Sequence, residues 1–111
     1  EWRYACEGEQ HFKYPWGDVF VPGHANIFGN KYDGYVRTSP VGNYPDGASP
    51  FGAMDMAGNV WEWTVSEGHL QFLRGGSWVN GHTLGQCNKR TNTQDKHSYV
   101  KGNTLGFRCA R

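Results

Sequence analysis

Two carboxylates set around a glycine turn are the clearest chemical signature in this 111-residue sequence. They lie in Met54-Asp55-Met56-Ala57-Gly58-Asn59-Val60-Trp61-Glu62-Trp63, where Asp55 and Glu62 flank Gly58 and Asn59. Glycine and asparagine favour backbone conformations closed to bulkier residues. Carboxylates around such a turn, with carbonyls between them, form a cage of hard oxygen ligands suited to Ca²⁺. Trp61 and Trp63 would then give the loop an apolar floor. The competing reading is a turn that buries both tryptophans while Glu62 faces water. Spacing alone favours that second reading, because the pattern is not that of an EF-hand.

Other ligand-forming residues are sparse. His11, His24, His69, His82 and His97 show neither i,i+4 nor facial-triad spacing and read as scattered surface histidines. Cys6, Cys87 and Cys109 form an odd set, which leaves one thiol without a partner inside the chain. Alternatively, all three are buried reduced thiols acting as small hydrophobes.

One domain at most, residues 1–111, is expected from this length. Apolar residues make up 37%, below the roughly 45–50% of ordinary globular domains, and glycine accounts for 16 positions. The 15% of aromatic residues compensates, since each buried ring removes a large area from water. A loop-rich fold on tryptophan and tyrosine anchors is the expectation, and disorder is not. Net charge is +1 with both signs scattered, so nucleic-acid binding has no electrostatic footprint. No apolar run approaches the roughly 20 residues of a membrane span, and none reads as a signal peptide. The start at Glu1, without methionine, suggests a processed chain or a fragment.

The elements positioning these groups are short. Glu1 to Glu7 reads as the tail of a helix, with Trp2 and Cys6 on one face and Gly8 as the stop. A domain beginning in mid-helix implies an upstream segment or a partner chain to complete the core. From Gln10 to Gly52, prolines and glycines leave no sustained period and predict loops. Gln71 to Leu73 and Ser77 to Val79 are β-like pieces separated by Gly75-Gly76. Asn88 to Gly102 is polar and predicts an exposed loop, and Leu105 to Ala110 predicts the last strand.

Several motifs resemble the formylglycine-generating enzyme family, also called the sulfatase-modifying factor domain. They are Asp55 to Thr64 (Asp-Met-Ala-Gly-Asn-Val-Trp-Glu-Trp-Thr) and Leu73 to Trp78 (Leu-Arg-Gly-Gly-Ser-Trp). Glu1 to Cys6, Tyr14 to Asp18, Ala25 to Ile27, Thr38 to Gly42 and Leu105 to Ala110 match further family stretches in the family's order. The resemblance implies a mixed α+β, C-type-lectin-like fold, loop-rich with few short strands and helices. It also implies that the chain corresponds to the C-terminal part of the domain, incomplete at its N-terminus.

By the same resemblance, Cys6 and Cys87 match bridged cysteines, while Cys109 matches one whose partner lies upstream. A Cys6–Cys87 disulfide is therefore expected, and with it a secretory or otherwise oxidising compartment. Two structural Ca²⁺ sites carry over. The first uses the Asn26 and Asp33 side chains with the Ile27 and Tyr35 carbonyls. The second uses Asp55, where many relatives have asparagine, the Gly58 and Val60 carbonyls, and Glu62. The bland alternative at the first site is an Asx-type turn at Asn26 beside a solvated Asp33.

Family enzymes oxidise a substrate cysteine with copper held by two cysteines, and thiolates are natural soft ligands for Cu(I). Those cysteines fall here at Asn80 and at Gly85, or near His82 with a short deletion, and none of these is cysteine. Cys87 matches the structural cysteine, with Arg90 three residues on. Positions matching Trp61, Ser77 and Arg90 line the substrate groove in active relatives, and Asn80 and His82 lie on the same stretch. Core packing is the expectation for Trp63 and Trp78. Residues 79–104 resemble the variable region of ligand-binding proteins on this fold, with polar residues that make adaptable contacts. The resulting expectation is a secreted, non-catalytic, calcium-binding recognition module for a protein, peptide or glycan. An oxygen- and copper-dependent oxidase fragment and a structural subunit of an assembly are the alternatives.

Overall fold

The computed structural model describes residues 1–28, 35–65, 71–92 and 102–110. The chain opens with helix α1, Trp2–Glu7. Gly8 ends it with φ 67°, and its N–H bonds back to the Tyr4 carbonyl at 2.9 Å. Helix and stop fall where the sequence places them. Glu7 is buried at the end of the helix, held by Arg3 and His11, each at 3.0 Å. Burial alone would raise its pKa, but those hydrogen bonds and charges leave it below the ordinary value.

A long loop region follows, as the prolines and glycines predict. Its regular features are a 3-10 turn at Pro45–Gly47 and a tight turn closed between Tyr14 and Gly17. Gly47 packs so closely on the His24 carbonyl that no side chain fits there.

Among the described residues four strands form one sheet in the order β3-β2-β1-β4. They are β1 (Trp61–Val65), β2 (Gln71–Arg74), β3 (Arg90–Asn92) and β4 (Leu105–Gly106). β2 runs antiparallel to β1 and β3, with Glu62 opposite Arg74 and Leu73 opposite Thr91. β4 runs parallel to β1 through Trp61–Leu105 and Glu62–Gly106 only. The α+β, loop-rich expectation holds.

Several local expectations need correction. Ser77 to Val79 is a turn and not a strand, because the Asn80 side chain accepts from the Ser77 amide at 3.1 Å and hydroxyl at 2.6 Å. The last strand stops at Gly106, after which Arg108 turns toward residues 54–62. Arg90–Asn92 is an edge strand inside the stretch read as loop, with the Arg90 guanidinium 4.1 Å from the Phe72 ring centre. Trp61–Val65, which follows the expected glycine turn and was given no strand from the sequence, is a strand; its β-branched and aromatic residues suit a half-buried sheet.

The core is small. Cys6, Met56 and Cys87 form one buried cluster, covered by Trp2, Ala5 and Ala53. Ala25, Ile27 and Ala57 form another beneath Trp16 and Phe20. The expected Cys6–Cys87 disulfide ties α1 to the turn before β3, 81 positions away. Closing a loop of that size restricts the unfolded chain by about 4–5 kcal/mol. Cys109 is a free, exposed thiol. Among the described residues no helix is long and apolar enough to cross a membrane.

Candidate functional site

The turn at residues 54–62 depends on three left-handed residues, Asp55 (φ 57°), Gly58 (77°) and Asn59 (65°). Gly58 sits against the Asn26 carbonyl, and a Cβ there would collide with it. The Gly58 amide donates to the Gly75 carbonyl at 2.7 Å, and the Asn59 amide to the Asn26 carbonyl at 2.8 Å. The Asn59 side chain accepts from the Ser39 amide at 3.0 Å and donates to the Ser39 carbonyl at 3.3 Å. It also accepts from the Asn26 amide group at 3.4 Å, while its own carbonyl accepts from the Trp78 amide at 2.9 Å. Asn59 therefore joins both candidate cation loops to the Gly75–Trp78 stretch.

Glu62 does not face water. It is 5% exposed, and Arg108 grips it through Nε on Oε2 and Nη2 on Oε1, both at 2.6 Å. Trp2 adds its indole N–H to Oε2 at 2.5 Å. The same Arg108 Nη2 donates to the carbonyls of Met54 at 2.8 Å and Asp55 at 3.1 Å. Burial lowers the Arg108 pKa, but the Glu62 hydrogen bonds and the charges of Glu62 and Asp55 raise it overall. The guanidinium is charged at any working pH.

Asp55, Val60 and Glu62 line one cleft of about 310 Å³ with Asn59 and Arg108. The Asp55 Oδ2 accepts from the Gly42 amide at 2.7 Å. Three of the four residues expected at the second Ca²⁺ site, Asp55, Val60 and Glu62, thus share one cleft, while Gly58 does not line it. At the first candidate site, Asn26 and Ile27 are buried, Tyr35 is exposed, and Asp33 lies outside the described residues. The Asn26 amide group donates to the Arg37 carbonyl at 2.7 Å, and a backbone bridge pairs Asn26 with Gly58.

The residues assigned to a ligand surface divide. Trp61 (1% exposed), Ser77 and Asn80 are buried and offer nothing to a ligand. Trp61 is covered where β4 pairs with β1, and Ser77 and Asn80 satisfy each other within their turn. His82 and Arg90 are exposed. His82 pairs through Nδ1 with the Tyr14 hydroxyl at 2.7 Å and stacks on Phe20 at 4.5 Å. Arg90 stands on β3. The tryptophan expected in the core, Trp63, is instead 43% exposed, and Trp78 is half-buried with its indole N–H on the Asn103 carbonyl at 3.3 Å.

The sequence marks Asn59 only as a turn residue, and it gives Trp2 and Arg108 no place at the site. One signal pointed to Arg108: a carboxylate inside a strand of tryptophans needs a buried counter-charge. Nothing in the spacing says which of the chain's basic residues supplies it, 46 positions away.

This chain has relatives among known proteins. It is 34% identical over 129 residues to inactive C-alpha-formylglycine-generating enzyme 2 of Bos taurus, covering 99% of this chain and 41% of that protein. The formylglycine-generating enzyme of Mycobacterium tuberculosis is 44% identical over 77 residues, covering 60% of this chain and 25% of that protein. PvdO from Pseudomonas aeruginosa superposes with a TM-score of 0.75 at 26% identity, over 96% of this chain and 48% of that one. The chain spans about two fifths of the length of the first of these relatives. The family profile described as sulfatase-modifying factor enzyme 1-like domain matches residues 1–111 throughout, and the chain belongs to that family.

Proposed function

We propose that this chain is a non-catalytic, calcium-binding recognition module of its family, binding a protein, peptide or glycan through its C-terminal loops. The cysteine inventory carries this reading. Three cysteines are present, two are joined to each other, and the third is exposed far along the chain. The thiolate pair expected to hold copper cannot form, since Asn80 and Gly85 or His82 stand at its positions. A mammalian relative that matches 99% of the chain carries the name of an inactive enzyme, while other relatives, one of them also matching 99% of the chain, are named as enzymes.

Asp55, Gly58, Val60 and Glu62 would hold one Ca²⁺, and Asn26, Ile27, Asp33 and Tyr35 another. Bound ions of this kind fix loops and supply no redox chemistry. Exposed His82, Arg90 and Val79 offer side chains to a ligand. Trp63 and Val65 border an open, largely apolar cleft of about 330 Å³ that also meets Trp2, Ala5 and Met56. An upstream segment or a partner chain that completes the domain would seat there. A disulfide fits an oxidising compartment, and secretion is the reading that follows.

The test is oxygen consumption with a cysteine-containing peptide and added copper, beside thermal melting in Ca²⁺ and in chelator. The expected result is no turnover and a lower melting temperature in chelator. Turnover would establish the oxidase reading, and coincident melting curves would remove the ions.

A further inference from the structure

Resting on the calcium reading above, we propose that Trp2 and Arg108 are positioning residues for a cation held by Asp55, Val60 and Glu62. A carboxylate has about four lone-pair positions. Oε2 of Glu62 accepts two hydrogen bonds, from Trp2 Nε1 and Arg108 Nε, and Oε1 accepts one from Arg108 Nη2. Among the described residues the position left over is on Oε1, in the carboxylate that lines the cleft with Asp55 and Val60. Trp2 and Arg108 thereby fix which oxygen of Glu62 meets an ion.

Arg108 acts at both ends of the loop. The nitrogen that binds Oε1 also binds the Met54 and Asp55 carbonyls, so one guanidinium sets the distance between the Asp55 backbone and the Glu62 carboxylate. Its planar fork makes this possible where an ammonium would not. Two carboxylates and one guanidinium leave the cleft with a net charge of −1, which still attracts a cation. Neither positioning residue belongs to the loop. Trp2 comes from α1 and Arg108 from the segment after β4, 60 and 46 positions from Glu62. Partners of this kind behind a metal ligand typically change affinity by about 10- to 100-fold.

The experiment is calorimetric titration with Ca²⁺ alone, paired with melting in Ca²⁺ and in chelator, for the unaltered chain, Trp2→Phe and Arg108→Lys. Trp2→Phe keeps an aromatic, though smaller, ring and loses the N–H; Arg108→Lys keeps the charge and loses the fork. Each variant should bind Ca²⁺ at least about tenfold more weakly, with a narrower gap between the two melting temperatures. A purely structural role would lower both melting temperatures together and leave affinity unchanged. That outcome in either variant overturns the role of the residue it changes while the calcium reading stands. An unaltered chain that takes up no Ca²⁺ overturns both.

Discussion

The two ends of β1 carry near-identical chemistry and meet opposite fates. Trp61 and Trp63 are two apart and so share one face of the strand. At the first end, β4 pairs with Trp61 and Glu62, and α1 sends Trp2 onto the Glu62 carboxylate. At the other end β4 has stopped, and Trp63 and Val65 border an open cleft. One tryptophan is 1% exposed and its neighbour 43%. Burial along this strand is decided by which distant segment arrives beside it, and residue type decides little. A charged residue is held deep at the covered end because Arg108 arrives with it, while an apolar ring is left in water at the open end.

This contrast can be broken at three points. Replacing Cys6 and Cys87 with serine releases α1 from the turn before β3, and the covered end loses its cap. Native disulfides of this kind are worth about 2–5 kcal/mol, so denaturant unfolding should shift by an amount in that range. If it does not, other contacts hold the helix in place. Glu62→Gln keeps the shape but leaves the Arg108 charge unpaired. A broken buried pair costs about 3–5 kcal/mol, and the low end applies because a third of the Arg108 side chain reaches solvent. A loss below about 1 kcal/mol would mean that the pair is solvated. Trp63→Ser at the open end should cost only about 1–2 kcal/mol, since nearly half of the ring is already exposed. A larger loss in the same melt would show that the ring is covered in solution.

Much of the fold was legible. Gly8 marked the end of α1, the five prolines marked the loop region, and family resemblance paired Cys6 with Cys87. The sheet was harder to read. Asn88 to Gly102 is polar enough for a loop, and Arg90–Asn92 joins the sheet as an edge strand whose ladder bonds ask little of its side chains. Trp61–Val65 was obscured by its own candidate chemistry, since a carboxylate between tryptophans suits both a turn and a strand. Exchanging the roles of Trp61 and Trp63 follows from the same cause: a period of two reports a shared face and says nothing about where the neighbouring strand ends. The site was legible as a set of oxygen donors at Asp55 and Glu62. Its support was not, because Trp2, Ser39 and Arg108 reach it from remote parts of the chain and leave no mark in the local spacing.

Asn59 joins four stretches of backbone, its own and those of Asn26, Ser39 and Trp78, outside the four-stranded sheet. A knot of this kind fixes the feet of several loops at a single residue, which holds Ser39 through its side chain and Trp78 through its main chain. The outward-facing tips of those loops are then free to change from one protein to the next, with the frame beneath them undisturbed. A scaffold tied in this way tolerates diversification of its surface for as long as the turn that carries Asn59 keeps its shape.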